Sequence, residues 1–319
     1  MSGLRILATT GIVAAFAAGS ATAQTVGLGS TKSSVVAAMT TAISSVVSER
    51  TDLRMRRQEM GGTQQYIPVV DAGELEFAVS NMIQYAMAKD GRELSSRPYE
   101  NLQLVTTMMR FRTGYLVKND SGIKRVEDLK GKRVPAGFKG APLFTTFNRS
   151  FLKIGGLTYD DVVRVPAVGL AQSWNLFKQG KVDVVIAGVG GGPNKDMEAA
   201  ISSGIRYLDF PHDTQNAKEA VAMIPGGAYE KVEMNKAFVA IKEPAHLVGY
   251  DFMLFTNRNI PEETVYKVAK AMVEGYKDLH ATGPVWRSFT PDRAGRDQGK
   301  YEYHPGAIKA YKELGVWKR

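Results

Sequence analysis

The 319-residue chain contains no cysteine. That absence excludes a disulfide framework, a thiolate nucleophile and any cysteine-based zinc site. Histidine is nearly as scarce: His212, His246, His280 and His304 are far apart, and none belongs to an H-E-x-x-H arrangement. No G-x-S-x-G elbow occurs, so a serine nucleophile of that type has no position. Neither GLGSTKSS nor GVGGGPNK has the spacing of a P-loop, and GLGSTK lacks the third glycine of a dinucleotide fingerprint. The acidic pairs Glu127-Asp128, Asp160-Asp161 and Glu262-Glu263 fall at predicted helix starts, where they complement the helix dipole. Catalysis has no constellation to stand on, and no cofactor or metal is expected.

Long apolar runs are also missing. The strongest is the N-terminal MSGLRILATTGIVAAFAAGSATA, in which Arg5 gives a basic start, Ile6 to Ala18 a short apolar stretch and Ala21-Thr22-Ala23 an A-x-A site. The run is too short and alanine-rich for a good membrane span. It predicts a signal peptide over residues 1–23 and export to the periplasm. Basic residues number 41 against 32 acidic ones, a formal charge of +9. They are scattered, which fits a solvated basic surface or a small anionic guest rather than nucleic acid.

What is present is alternation. Short apolar runs follow one another with helical stretches between them, starting with TVGLG and then SSVVAAMTTAISSVVSE, where Val35, Val36, Met39, Ile43, Val46 and Val47 share a helical face. Strands are predicted at Leu53 to Gln58, Phe77 to Val79, Leu102 to Met108 and Tyr115 to Val117, with Ser80 as the N-cap of the helix NMIQYAMAKDG. A second series begins near RVEDLKGKRVPAGFKGAP, with strands at Lys132 to Ala136, Val162 to Val165 and Val182 to Ala187 and helices at Leu143 to Ile154, Ala171 to Lys178 and Asn194 to Ser203. Farther on, VGYDFMLFTN reads as a strand, PEETVYKVAKAMVEGYKDLH as one long helix, and Val285 to Phe289 and Ala307 to Leu314 as closing helices. This rhythm predicts an α/β protein of two lobes, each a mostly parallel sheet flanked by helices. Residues 24–118 plus 219–319 would form lobe one and residues 119–218 lobe two, with a ligand cleft between them.

Four strand-to-helix junctions carry glycine or small polar residues. They are Gly29-Ser30-Thr31, Gly61-Gly62-Thr63-Gln64-Gln65, Gly137-Phe138-Lys139-Gly140-Ala141 and Gly190-Gly191-Gly192-Pro193-Asn194. In open α/β sheets ligands bind beyond the carboxyl ends of strands, where unpaired helix N–H groups favour anions. The expected site therefore takes Ser30, Thr31, Gly62, Thr63, Gln65, Ser80 and Asn81 from lobe one, and Lys139, Gly140, Ala141, Gly190, Gly191 and Asn194 from lobe two. Ser30 and Ser80 could equally be plain N-caps, and Gln65 could face solvent.

Several stretches together resemble the TAXI-family solute-binding proteins of TRAP transporters: VGLGSTKSS, MGGTQQYIPVVDAGELEFAVSNMIQYAMAKDG, LVKNDSGIKRVEDLKGKRVPAG, FKQGKVDVVIAGVGGGPN and VGYDFMLFTNRNIPEETVYKVAKAM. The resemblance runs from Gln24 to about Leu279. It implies a monomeric periplasmic binding protein of type II-like fold, closing over a small carboxylate such as glutamate or a 2-oxo acid and handing it to a membrane permease. Two departures matter. Lys32-Ser33-Ser34-Val35-Val36 stands where such proteins read GGTYY, and Ala141-Pro142-Leu143 where they carry Ser-Gly-Thr. The lost hydroxyls leave Lys139, or Arg110 and Arg112 near the crossover, as cationic partners for an acid. Phe138 and Leu143 suggest a more apolar wall and a bulkier organic acid. An ABC-type receptor for a sulfonate, pyrimidine precursor or other anion has the same two-lobed plan, and a ligand sensor is a further alternative.

The leader reading is checked by intact mass. The exported protein is expected to begin at Gln24, and retention of the first 23 residues would refute cleavage after Ala23.

Overall fold

The structure is a computed structural model and describes residues 23–32, 35–93, 95–139 and 141–318. The predicted signal segment up to residue 22, Ser33, Ser34 and the site candidate Gly140 lie outside the described residues.

The chain opens with β1 (Gln24–Thr31), α1 (Val35–Arg50), β2 (Leu53–Met60), α2 (Thr63–Ala72), β3 (Phe77–Asn81) and α3 (Met82–Lys89). β1 lies between β2 and β3 and pairs in parallel with both. The apolar face of α1 is buried at Val36, Met39, Ile43, Val46 and Val47, as its spacing predicts. β2 alternates buried Leu53 and Met55 with exposed Arg54 and Arg56. It is the edge strand of the sheet, and charge there discourages a second chain from adding to it.

A single strand, β4 (Leu102–Lys118), replaces the two short ones expected from the sequence. The charges of Arg110 and Arg112 break the apolar run without breaking the strand, because both guanidinium groups are paired. The second arm follows as β5 (Arg133–Gly137), α4 (Leu143–Ile154), β6 (Val163–Ala167), α5 (Leu170–Lys178), β7 (Val185–Gly188), α6 (Gly192–Ala200) and β8 (Ile205–Tyr207). α7 (Gln215–Ala222) and β9 (Ala228–Val232), which the periodicity did not announce, lead into β10 (Ala245–Asn257). The chain then finishes with α8 (Glu262–Glu274), α9 (Tyr276–Thr282) and α10 (Pro305–Glu313).

The main sheet runs β2-β1-β3-β10-β4-β7, with β8 on β4 and β9 on β10, while β5 and β6 form a separate parallel pair. β10 is antiparallel to β3, β4 and β9, and β4 is antiparallel to β7 and β8. The sheet is thus mixed, and the expectation of a mostly parallel one holds only within the β2-β1-β3 arm and the β5-β6 pair. The cause is the two long strands, one carrying the chain outward and the other bringing it back. Their register slips between Asp251 and Met253 and again between Leu254 and Phe255, as β-bulges do.

Packing shifts the expected lobe boundary. Val232, Ala240, Ile241, Ala245 and Leu247 join Leu116, Phe177, Val182 and Tyr207 in one buried cluster. Ser150 Oγ in α4 donates to the Ala220 carbonyl of α7 at 2.8 Å. The segment from α7 to the start of β10 therefore packs largely with the second arm, while its turn at Gly226 also meets Met82 of α3. The predicted 20-residue helix near the end is divided at Gly275 into α8 and α9. A Cβ there would lie 2.5 Å from Val46 Cγ1 and 2.7 Å from the Ala271 carbonyl oxygen. In place of the helix expected at Val285 to Phe289, the structure has a 3-10 turn at Pro284–Trp286.

α10 rests on α8 with almost no space between backbones: a Cβ on Gly306 would fall 2.2 Å from the Glu262 carbonyl oxygen and 2.9 Å from the Tyr266 nitrogen. Backbone atoms cannot swing aside as a side chain can. Gly306→Ala is expected to destabilise the protein by about 1–3 kcal/mol. It would be read as a lower urea midpoint at unchanged m-value; an unaltered midpoint would disprove the close approach.

Candidate functional site

The glycine-rich junctions spend most of their polar groups on local structure. Ser30 is buried and its hydroxyl lies 2.7 Å from Thr40 Oγ1; Thr31 is half-buried at the strand end. Gly62 caps α2 in an extended conformation. Thr63 is largely buried and accepts from the Tyr66 hydroxyl at 3.3 Å. Gln65 Oε1 accepts the Gly61 N–H at 2.7 Å and so closes its own turn. Ser80 is a strand residue, not the N-cap; that role belongs to Asn81, whose Oδ1 accepts the Gln84 N–H at 2.9 Å. The Ser80 hydroxyl is buried without a partner among the described residues.

In the second arm, Lys139 is exposed and lines a cavity of about 260 Å³ at the ends of β5 and β6, together with Val168 and Gln172. The Ala141 N–H donates to the Phe138 carbonyl at 2.8 Å. Gly190 has φ +76, a conformation suited to glycine, and Phe238 packs against it. Gly191 caps α6, while buried Asn194 donates to the Gly188 carbonyl at 3.1 Å and to the Tyr207 hydroxyl at 2.9 Å. Phe138 and Leu143, read from the sequence as pocket wall, are buried in the core instead.

The larger cavity, about 1010 Å³, lies elsewhere, and of the predicted residues Arg110 lines it. Its walls are the end of α3 (Lys89, Asp90, Arg92), the turn from α7 to β9 (Ala222 to Ala228) and the C-terminal segment Arg296 to Tyr301. Arg110 of β4 and Asp251 of β10 face each other across the strand pair and form its floor. The cavity thus touches both arms and the two strands that join them.

Asp251 is almost wholly buried, a position a carboxylate holds only when paired. It accepts from Arg293 Nη2 at 2.7 Å and from Gln298 Nε2 at 2.9 Å, with Arg110 Nη1 at 3.4 Å and Arg296 Nη1 at 3.9 Å. Glu230 of β9 takes Arg110 Nε and, at 2.8 Å, Arg112 Nε. Four guanidinium groups therefore share two carboxylates, and the excess positive charge can hold an anion. Burial lowers the pKa of Arg293, with neighbouring Arg296 and Arg110 working in the same direction against the pull of Asp251.

At the α3 end, Asp90 accepts from Lys300 at 2.8 Å, from Arg92 at 3.0 Å and from the Tyr301 hydroxyl at 2.9 Å. Partial burial pushes the Asp90 carboxyl up, but the bonds from Lys300 and Tyr301 outweigh it, and its pKa falls below the ordinary value. Burial lowers the pKa of the Lys89 ammonium, and Arg258 lowers it further. Among the described residues no group of three or more His, Asp or Glu side chains could hold a metal ion, and no helix is long and apolar enough to cross a membrane.

The sequence reading missed Asp251, Arg293, Arg296, Gln298 and the α3 end. One signal was available: a lone acid inside the apolar strand VGYDFMLFTN must be paired if that strand is buried. The charged stretch DRAGRDQGKY offered its partners.

Comparison with known proteins now bears on these features. The sequence profile of the NMT1-like family matches residues 21–315. Among solved structures, a putative periplasmic sulfonate-binding protein of a Methylobacillus flagellatus ABC transporter superposes with a TM-score of 0.52 at 13% identity, covering 93% of this chain and 88% of that one. MatC from Rhodopseudomonas palustris, with bound malate, gives 0.52 at 14% identity over 81% of this chain and 87% of its own. A second R. palustris protein, with adipate, gives 0.53 at 14% identity over 92% and 94%. At such identities the likeness establishes the fold, that of two-lobed periplasmic binding proteins.

The Asp90 cluster has a pH signature. A carboxyl whose folded pKa is depressed contributes stability that is present above its unfolded value, about 3.9, and lost as pH falls through the folded one. Urea midpoints of the wild type should therefore drop below about pH 4 more steeply than those of Asp90→Asn. Parallel curves for the two proteins would contradict the assigned partners.

Proposed function

The chain belongs to the NMT1-like family, and from that premise we propose that it is a periplasmic solute-binding receptor for a small organic anion, releasing it unchanged to a membrane permease. The observation that carries this reading is the cavity of about 1010 Å³ touching both arms, lined by Arg110, Arg296 and Asp251, with Arg112, Arg293 and Glu230 paired to them behind its floor. An anion entering it satisfies the surplus charge and contacts both arms at once. Such contacts favour the closed form over the open one, which is how a ligand shifts a hinge equilibrium.

Carboxylates and sulfonates fit equally by charge, and the malate, adipate and sulfonate named for the structural neighbours fall in those classes. For the partner, the TAXI resemblance favours a TRAP permease, while the sulfonate-binding neighbour belongs to an ABC transporter. Genes adjacent to this one distinguish the two: an ion-driven permease supports the first, an ATPase the second. The junction residues Ser30, Thr31, Thr63, Ser80, Lys139 and Gly191 remain the alternative ligand shell.

Thermal melts across carboxylates, alkanesulfonates and neutral sugars test the class. A ligand at a hundredfold excess over its Kd stabilises by about 2.7 kcal/mol. That corresponds to a rise of roughly 4 °C for a protein of this size. The rise should shrink with added salt. Flat melts for every acid, or a response to a sugar alone, would overturn the reading.

A further inference from the structure

We infer that Arg296, on the C-terminal segment, is the residue that grips the acidic group of the solute. The inference rests on the receptor reading above and assigns the contact within the larger cavity.

The other cations of that cavity are already engaged. Arg110 donates to Glu230 and to the Gly226 carbonyl at 3.2 Å. Arg92 and Lys300 hold Asp90. Lys89 donates to the Glu100 carbonyl at 2.7 Å. Behind the floor, Arg293 is tied to the Met108 carbonyl at 3.0 Å and to Asp251, and Arg112 to Glu230.

Arg296 differs from all of them. Its nearest acid, Asp251, is 3.9 Å away, beyond hydrogen-bond reach, and 46% of its side chain is exposed. Its guanidinium makes no hydrogen bond among the described residues, although five N–H donors are available. The backbone beneath it is fixed nonetheless. The Arg296 N–H donates to the Arg293 carbonyl at 3.0 Å, and its own carbonyl accepts from the Tyr303 hydroxyl at 2.8 Å. A held stem with an unoccupied fork is preorganised to take a carboxylate or sulfonate through two parallel hydrogen bonds.

Asp251 explains why this arginine and not its neighbours is open. The buried carboxylate is a resident anion that occupies Arg293 and Gln298 and draws Arg110 close. It leaves Arg296 as the outermost member of the cluster, facing the cavity with charge to spare.

The test is isothermal titration at low salt with straight-chain carboxylates from acetate to octanoate, adipate and the matching alkanesulfonates. It compares wild type, Arg296→Gln, Arg296→Lys, Lys139→Gln and Arg125→Gln. For the tightest acid, Arg296→Gln should weaken binding about tenfold or more, the size of a lost charge-assisted pair. Arg296→Lys, which keeps the charge but not the fork, should fall between. Lys139→Gln and the exposed control Arg125→Gln should match wild type. Unligated melts of Arg296→Gln should stay close to wild type, since its head group meets Asp251 only at 3.9 Å and is half exposed. If Lys139→Gln loses the affinity and Arg296→Gln keeps it, the solute lies at the strand ends; the inference is then wrong while the receptor reading stands. If wild type takes none of the acids, the receptor reading itself fails and the inference falls with it.

Discussion

A carboxylate placed inside an apolar strand governs much of this molecule. Asp251 sits in β10 between Tyr250 and Phe252, both buried. Left alone there it would be neutralised or would unfold its surroundings, since an unpaired buried charge costs several kcal/mol. The chain answers with three groups from two places distant in sequence: Arg110 from β4, and Arg293 and Gln298 from the C-terminal segment. Glu230 on β9 then balances Arg110 and Arg112. Strand pairing, the turn from α7 and the final wall of the cavity all meet at this cluster. Buried ion pairs of this kind add little net stability compared with apolar packing. What they fix here is which strand faces which, and where the surplus charge points.

The opposite face of the two long strands is built differently. Phe111 packs on Tyr250 at 5.6 Å between ring centroids, and Phe147 of α4 on Tyr250 at 5.4 Å. Phe151 continues the stack to Tyr115 and Phe210. One side of the connection is thus apolar and packed, the other charged and open to a cavity. A further link crosses between the arms where Thr146 of α4 donates to Glu93, beyond the end of α3, at 2.6 Å.

Much of the fold was legible because its helices and parallel strands are local patterns. α1, α4 and α10 announce themselves by apolar residues at helical spacing, and Gly155-Gly156 ends α4 where the sequence places it. β4 was harder. Its arginines read as a break because pairing with Glu230, more than a hundred residues later, leaves no mark near residue 110. The site was less legible for the same reason. Ser30, Gln65, Asn81 and Asn194 have the residue types of a binding loop, yet caps and closed turns use those types for the same hydrogen-bonding ability. Only tertiary structure tells which donors are already taken.

The last wall of the cavity has a temporal consequence. Residues 293–303 are stitched to the first arm through the bridge between Leu104 and Tyr303, the bond between Thr107 and Tyr303 and the one Gln298 donates to Thr107. Synthesis proceeds from the N-terminus, so every strand of the sheet exists before this segment does. A nascent chain can hold every strand of the sheet and still lack the C-terminal partners of Asp251, namely Arg293 and Gln298. The charge balance around Asp251 is therefore completed only after the last strand has been made, and a chain cut short by a few dozen residues would lose it together with the buried Tyr303 and Tyr311.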